Sequence, residues 1–186
     1  MDDRLTVVLD IGKTVAKASL WDANGTMVAR ESRANEIVLA DHYRALDASG
    51  IEAWFAETLS GFARIGRIGA IVAVAHGAAA AILGGNGLAA PVMDYESEIP
   101  PDIRAAYLRE RDPERETGSP AMDLGLNLGL QLYYQQAKLP ELFQGDPTIL
   151  PWAQYWAYRL SGVAACEVSS FGAHTDLWNP AENGPS

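Results

Sequence analysis

The sequence predicts an α/β fold with a mixed sheet flanked by helices, and three observations carry that prediction. The stretch VVLDIGKTVAKASLWD, Val7 to Asp22, reads as two strands around a tight polar turn. Thr26 to Arg33 resumes as a third strand after the strong turn signal Asn24-Gly25. An amphipathic helix and a buried apolar run follow, giving the order β-β-β-α-β along the first 75 residues.

Each element has its own residue-level reason. Val7, Val8 and Leu9 form a short apolar run that Asp10 ends, and Gly12, Lys13 and Thr14 make the turn. Ala16, Ala18 and Leu20 then alternate with Lys17, Ser19 and Trp21, the period of a half-buried strand. Residues 34–48 are polar and read as irregular. Ser49 with Glu52 is a capping box, and Ile51, Trp54, Phe55, Leu59, Phe62 and Ile65 recur at helical spacing. Ala70 to Val74 is a buried strand that stops at His76-Gly77, Ala79 to Leu83 is another, and Leu88 to Tyr95 returns from the turn Gly84-Gly85-Asn86-Gly87. Pro100-Pro101 opens a charged helix over about 103–111, and Asp112 to Pro120 is a polar loop. Asp123 to Leu132 reads two ways, its alternating leucines fitting a strand and Leu124, Leu128 and Leu132 sharing a helical face; helix is favoured from about Leu128, because Gln131 to Lys138 lacks β-formers apart from two tyrosines. Pro151 begins a further helix lined by Trp152, Tyr155 and Trp156 and closed by Gly162. Val163 to Ser170 reads as a strand.

Composition limits the function classes. With 186 residues, 48% apolar and 20% charged, the chain is long enough for one sizeable domain that buries about 70% of its unfolded surface. The net charge of −10 argues against a nucleic-acid partner, because a phosphate backbone needs a basic face. The single Cys166 excludes an intrachain disulfide and a cysteine metal cluster, and reads as a small core residue. No apolar run reaches the length of a membrane span and no signal peptide is visible, so a cytoplasmic location is expected.

The first turn carries the clearest chemistry. Gly12 lets the backbone approach a ligand, Thr14 offers a hydroxyl and an N–H, Lys13 and Lys17 offer positive charge, and Asp10 can hold a metal ion or its water. That set suits a magnesium-bound polyphosphate. Gly12-Lys13-Thr14 copies the end of a P-loop, but Val7 stands where that motif needs glycine, and a strand follows instead of a helix.

The hairpin resembles the phosphate-binding hairpin of the actin-like ATPase superfold and, within it, the FGGY family of carbohydrate kinases. Asp10, Gly12 and Thr14 fall on that family's D-x-G-T-T/S pattern, with Lys13 in place of the usual threonine or serine and Lys17 at a position that carries Arg or Lys. The β-β-β-α-β order is that of the ribonuclease-H-like unit. His76 and Gly77 fall at the strand end where the family contacts its sugar, and Asp94 on the Asp of a W-x-D-x-R segment of the sugar pocket. Val92 and Glu96 depart from that segment, which leaves the sugar unnamed. Asn127 resembles a polar position before the lid-side helix, and a helix cap explains it equally well. Leu160-Ser161-Gly162, Glu167 to Ser170 and Asp176-Leu177-Trp178 follow the family's later pattern, mostly in structural roles; an acid-base or metal pair of His174 with Asp176 lacks a third ligand.

The resemblance covers Thr6 to Trp178 and implies that residues 1–186 are most of the N-terminal domain of an FGGY-type sugar kinase. Such an enzyme moves the γ-phosphoryl of ATP, with Mg2+, to a hydroxyl of a ketose, polyol or related sugar. Phosphate contacts would come from Gly12, Lys13, Thr14 and Lys17, the metal contact from Asp10, and sugar contacts from His76, Gly77, Asp94 and Asn127. The catalytic base and the adenosine site are expected past residue 186, so this stretch alone is expected to be inactive and, with an apolar face exposed, to dimerise or aggregate. The alternative is a non-catalytic actin-like module that binds a nucleotide or a partner.

Overall fold

The computed structural model describes residues 4–85, 87–173 and 175–186. Its internal contacts gather into two compact units: residues 1–37 with 46–76, and residues 38–45 with 77–186. The chain therefore passes from one unit to the other three times.

The first unit is built on a four-stranded sheet of order β3-β2-β1-β6, from β1 (Leu5–Ile11), β2 (Val15–Trp21), β3 (Met27–Ala34) and β6 (Ile68–Ala75). Two small strands, β4 (Ile37–Leu39) and β5 (Arg44–Leu46), pair with each other and carry the chain across the unit boundary. The sheet is mixed: β1 runs antiparallel to β2 and parallel to β6, with Asp10 opposite both Lys17 and Val74. Val7, Leu9 and Ile11 of β1 and Ala16, Ala18 and Leu20 of β2 are fully buried on one face, as the period-2 pattern requires. Helix α1 (Ala48–Phe62) packs on β2 and β3 and adds Ile51, Phe55 and Phe62 to that core.

The cap of α1 differs from the expected capping box. Asp47, not Ser49, is the N-cap: its Oδ1 accepts the Gly50 N–H at 2.9 Å, and its Oδ2 takes the Arg33 guanidinium. Burial works against the Asp47 charge, but the Gly50 amide and Arg33 together hold the carboxyl below its ordinary range. The 34–48 stretch is also more ordered than its polarity suggests, since it holds β4, β5 and this cap.

Among its described residues the second unit contains β7 (Ala80–Gly84), β8 (Gly87–Leu88), β9 (Thr148–Pro151), the α-helices α2 (Pro101–Glu110), α3 (Glu114–Thr117), α4 (Leu128–Lys138), α5 (Trp152–Ser161) and α6 (Val168–Gly172), a 3-10 turn (Pro140–Phe143), and a last pair β10 (Trp178–Asn179) and β11 (Gly184–Pro185). Central β7 pairs antiparallel with β8 and β9. Trp152, Tyr155 and Trp156 of α5 are buried and in mutual ring contact, so they pack the core rather than offer a stacking platform. Gly162 closes α5 in the left-handed conformation, φ 75°, as expected.

Four expectations are corrected here. Leu88 to Tyr95 does not return as a full strand: among the described residues the ladder with β7 holds Gly87 and Leu88, the Ala89 N–H adds one bond to the Ile82 carbonyl at 2.8 Å, and Pro91, which has no N–H, follows closely. The backbone beyond it pairs with residues 44–45 instead, through Asp94 N–H to the Arg44 carbonyl and a bridge from Ala45 to Met93. Val163 to Ser170 is not a strand. Residues 163–167 are irregular, and Glu167 then caps α6 by accepting the Ser169 and Ser170 amides, both at 2.8 Å. The Ser169 and Ser170 hydroxyls, with those amides behind them, bring the exposed Glu167 carboxyl down to about 2. Cys166, in the same irregular stretch, is exposed rather than part of a core. The polar loop from Asp112 contains the one-turn helix α3.

Among the described residues, no helix is long and apolar enough to cross a membrane.

Candidate functional site

In the first unit the turn between β1 and β2 gathers the hairpin residues. Asp10 and Lys17 are cross-strand neighbours, both half-exposed, with Lys17 Nζ 3.6 Å from Asp10 Oδ2. Gly12 donates its N–H to the Val15 carbonyl at 3.1 Å, and its own carbonyl accepts from Asn35 Nδ2 at 2.9 Å. Asn35 also donates its N–H to the Thr14 carbonyl at 2.8 Å, so the end of β3 braces the turn from outside. A Cβ on Gly12 would stand 3.0 Å from the Val15 oxygen, so the turn is as tight as its glycine implies. Thr14 is exposed, whereas the Lys13 ammonium is shielded from solvent.

Magnesium is what the family resemblance implies here. No cluster of three or more His, Cys, Asp or Glu that could cage a metal is found among the described residues. A lone, accessible Asp10 beside a glycine turn fits a hard cation whose remaining ligands are phosphate oxygens and water. His76 follows β6 directly, with both ring nitrogens out of contact with solvent.

In the second unit, Gln131 is the residue that sequence reading missed. It lies on α4, is 1% exposed, and its Nε2 donates to the Ala78 carbonyl at 2.9 Å and the Gly125 carbonyl at 2.6 Å. Gly125 in turn donates its N–H to the Tyr95 carbonyl at 2.7 Å. One amide thus ties the Gly77-Ala78 loop to the loop before α4, and that loop to the Asp94 turn. No local pattern marks Gln131, because the Ala78 contact spans 53 positions.

Asp94 is fully buried. Its Oδ1 accepts the Glu96 N–H at 3.1 Å, and its Oδ2 lies 3.7 Å from Arg44 Nε. Position 96 lacks the cation of the family segment, but a cation reaches this carboxylate from β5. Asn127 is also buried, and its side chain does not cap α4: Oδ1 accepts the Met122 N–H at 2.8 Å and Nδ2 donates to the Pro120 carbonyl at 3.0 Å, fastening the loop before the helix.

Asp176 has a structural explanation. Its φ is 64°, and its carboxylate accepts the Tyr107 hydroxyl at 2.7 Å and sits 2.9 Å from Arg111 Nη2. Burial raises its pKa, against the pull of Tyr107 and Arg111, and burial beside Asp176 raises that of Tyr107 strongly. This trio ties α2 to the segment before β10. His174, the other half of the pair weighed from sequence, lies outside the described residues. A cavity of about 330 Å³ beside the trio is lined by Tyr107, Arg111, Tyr133, Phe143 and Leu177, none of them expected in a sugar or phosphate site.

The strand order, the parallel β1–β6 pair and the glycine turn define the actin-like ATPase fold, in its ribonuclease-H-like form. Solved structures make the relationship specific. A carbohydrate kinase from Novosphingobium aromaticivorans matches with 42% identity and a TM-score of 0.94, over 100% of this chain and 39% of that one. A ligand-bound xylulose kinase from Lactobacillus acidophilus matches with 19% identity and a TM-score of 0.83, over 98% of this chain and 38% of its own. Plasmodium falciparum glycerol kinase with ADP matches with 11% identity and a TM-score of 0.77, over 98% and 40%; these last two speak for the fold alone. No protein-family model matches the chain, and no curated protein does. The chain shares the fold of these carbohydrate kinases over its whole length, and spans about two fifths of the length of the structures it matches.

Proposed function

We propose that the complete product of the reading frame encoding these residues is an FGGY-type carbohydrate kinase, with residues 1–186 forming most of its N-terminal domain. It transfers the γ-phosphoryl of ATP to a hydroxyl of a ketose, polyol or related sugar. The observation that carries this reading is the hairpin of Asp10, Gly12, Thr14 and Lys17, with its accessible carboxylate beside a glycine-tight turn, in a chain 42% identical to a carbohydrate kinase.

In this reading the Gly12 turn and Thr14 receive phosphate oxygens, and Lys13 and Lys17 contribute positive charge to the same turn. Asp10 holds magnesium, which when bound neutralises charge on the phosphates. Catalysis of this class is mostly positioning and electrostatic stabilisation. His76, Gly77, Asp94 and Asn127 form or support the sugar side. The base that accepts the sugar proton is supplied from outside residues 1–186, so this stretch alone turns over far below the roughly 1–100 per second of ordinary kinases.

The test is ADP release by the complete product across a panel of ketoses and polyols with magnesium-ATP, with Asp10→Asn alongside. Sugar-dependent release that Asp10→Asn cuts by orders of magnitude, with the fold intact by circular dichroism, is the expected result. Near-normal turnover of the variant at saturating magnesium removes the metal role from Asp10. Nucleotide binding with no sugar-dependent release leaves the non-catalytic module.

A further inference from the structure

The cavity of about 330 Å³ beside Tyr107, Arg111 and Asp176 is lined by no residue of the hairpin and none of the proposed sugar side. Its volume falls in the range of small-molecule sites, about 300–1,000 Å³. Its wall combines aromatic rings, carboxylates and one guanidinium.

The rings are Tyr107, Tyr133 and Phe143. The centroids of Tyr107 and Tyr133 are 5.6 Å apart and their planes tilt by 58°, so the two rings form a corner rather than a stack. Both hydroxyls are already used as donors, Tyr107 to Asp176 Oδ2 at 2.7 Å and Tyr133 to Glu110 Oε1 at 3.1 Å. What remains for a ligand is π surface, whose negative face attracts cations.

Charge favours the same kind of ligand. Arg111 and Asp176 stand 2.9 Å apart with side chains 7% and 0% exposed, and they neutralise each other. Glu110 and Asp112 also line the cavity, and neither forms an ion pair with a described residue. Arg109 acts on Tyr133 through space without lining the cavity, and counting it still leaves the wall negative. An anion is therefore disfavoured. The guanidinium adds a second requirement. Arg111 gives its Nε–H to the Asp112 carbonyl at 3.3 Å and its Nη2 to the Ser119 carbonyl and Asp176, whereas Nη1 makes no hydrogen bond to a described residue. Two N–H donors on a nearly buried side chain are left for an acceptor oxygen.

The geometry points to a binding site here for a small organic ammonium ion that also carries an oxygen acceptor. The ammonium lies against Tyr107, Tyr133 and Phe143 with Glu110 and Asp112 beside it, and the oxygen accepts from Arg111 Nη1. The inference stands apart from the kinase reading, since it uses none of the same residues.

The experiment uses the complete product of the reading frame and choline as the probe. The comparison ligands are its uncharged analogue with carbon in place of the ammonium nitrogen, tetramethylammonium, and sodium chloride at matched ionic strength. Calorimetry should give saturable choline binding at low-millimolar concentration or below, and choline should raise the melting temperature. The carbon analogue should bind at least about tenfold more weakly, equivalent to about 1.4 kcal/mol. Tetramethylammonium, without the oxygen, should bind less tightly than choline. Two variants locate the site. Glu110→Gln with Asp112→Asn removes the charge while glutamine still accepts the Tyr133 hydroxyl, and Phe143→Leu removes a ring. Each should weaken choline binding about tenfold and binding of the carbon analogue far less. An equal effect from sodium chloride, equal binding of the carbon analogue, or choline binding unaltered in both variants would overturn the site. Equal binding of tetramethylammonium would overturn the role of Arg111 Nη1. Displacement of choline by ATP or a sugar would put it in the kinase cleft and overturn a separate site. Choline binding as expected in a protein without sugar-dependent ADP release supports this inference while the kinase reading falls.

Discussion

Replacing Gln131 with leucine should destabilise the second unit by about 2–3 kcal/mol. The substitution nearly conserves volume at a site 1% exposed, so packing contributes little to the change. It removes two hydrogen bonds, to the Ala78 and Gly125 carbonyls at 2.9 and 2.6 Å, each worth about 1 kcal/mol net. It also leaves two carbonyls short of a donor, which adds to the loss. For a unit of this size the melting temperature should fall by about 5–10 °C. Gln131→Glu sharpens the test. An ionised carboxylate has no donor and turns its lone pairs toward the same two carbonyls, so at neutral pH it should cost more than leucine. Below the carboxylate range the acid regains one donor, and part of the stability should return. Thermal melts followed by circular dichroism at neutral and acidic pH measure both effects. A leucine variant within about 0.5 kcal/mol of the parent, the scatter of ordinary surface changes, would refute the bridging role of this side chain.

Three other perturbations read different parts of the molecule. Gly12→Ala forces its methyl within 3.0 Å of the Val15 carbonyl and should cost about 1–3 kcal/mol by urea titration, with nucleotide affinity falling as the turn opens. Asp47→Asn keeps a competent N-cap but loses the Arg33 ion pair. Because the folded pKa of Asp47 is lowered, its contribution is present above the unfolded value of about 3.9 and is lost as pH falls through the folded value, so the parent and variant melting curves should differ at neutral pH and converge in acid. Trp156→Ala removes a fully buried ring from the α5 cluster and should cost about 3–5 kcal/mol in a urea or thermal melt.

What was legible in the sequence was local. The β1–β2 hairpin shows itself because alternation, a glycine turn and Asn24-Gly25 all agree, and α5 because Pro151 and Gly162 mark its two ends. The errors came from side chains that satisfy the backbone in less usual ways. Glu167 is not a common cap, yet its carboxylate turns a stretch rich in small and β-branched residues into the start of α6. Asp47 precedes a serine that looks like the cap, and Arg33, fourteen positions away, helps it prevail. In the site the hairpin residues were visible because they are sequence neighbours. Gln131 and Arg44 were not, because their partners Ala78, Asp94 and Ser97 lie about fifty positions away and no periodicity links them.

The two rims of the four-stranded sheet are unequal. Strand β3 borders one side with exposed Arg30 and Glu31, charges of the kind that discourage another strand from adding. Strand β6, IGAIVAVA, borders the other with no charge, no proline and half-exposed Val72 and Val74. Its outer amides and carbonyls face away from β1 and form, among the described residues, an open template. Of the two rims, β6 is therefore the one better suited to accept a further strand, and a strand that joins there would need an apolar face to match Val72 and Val74.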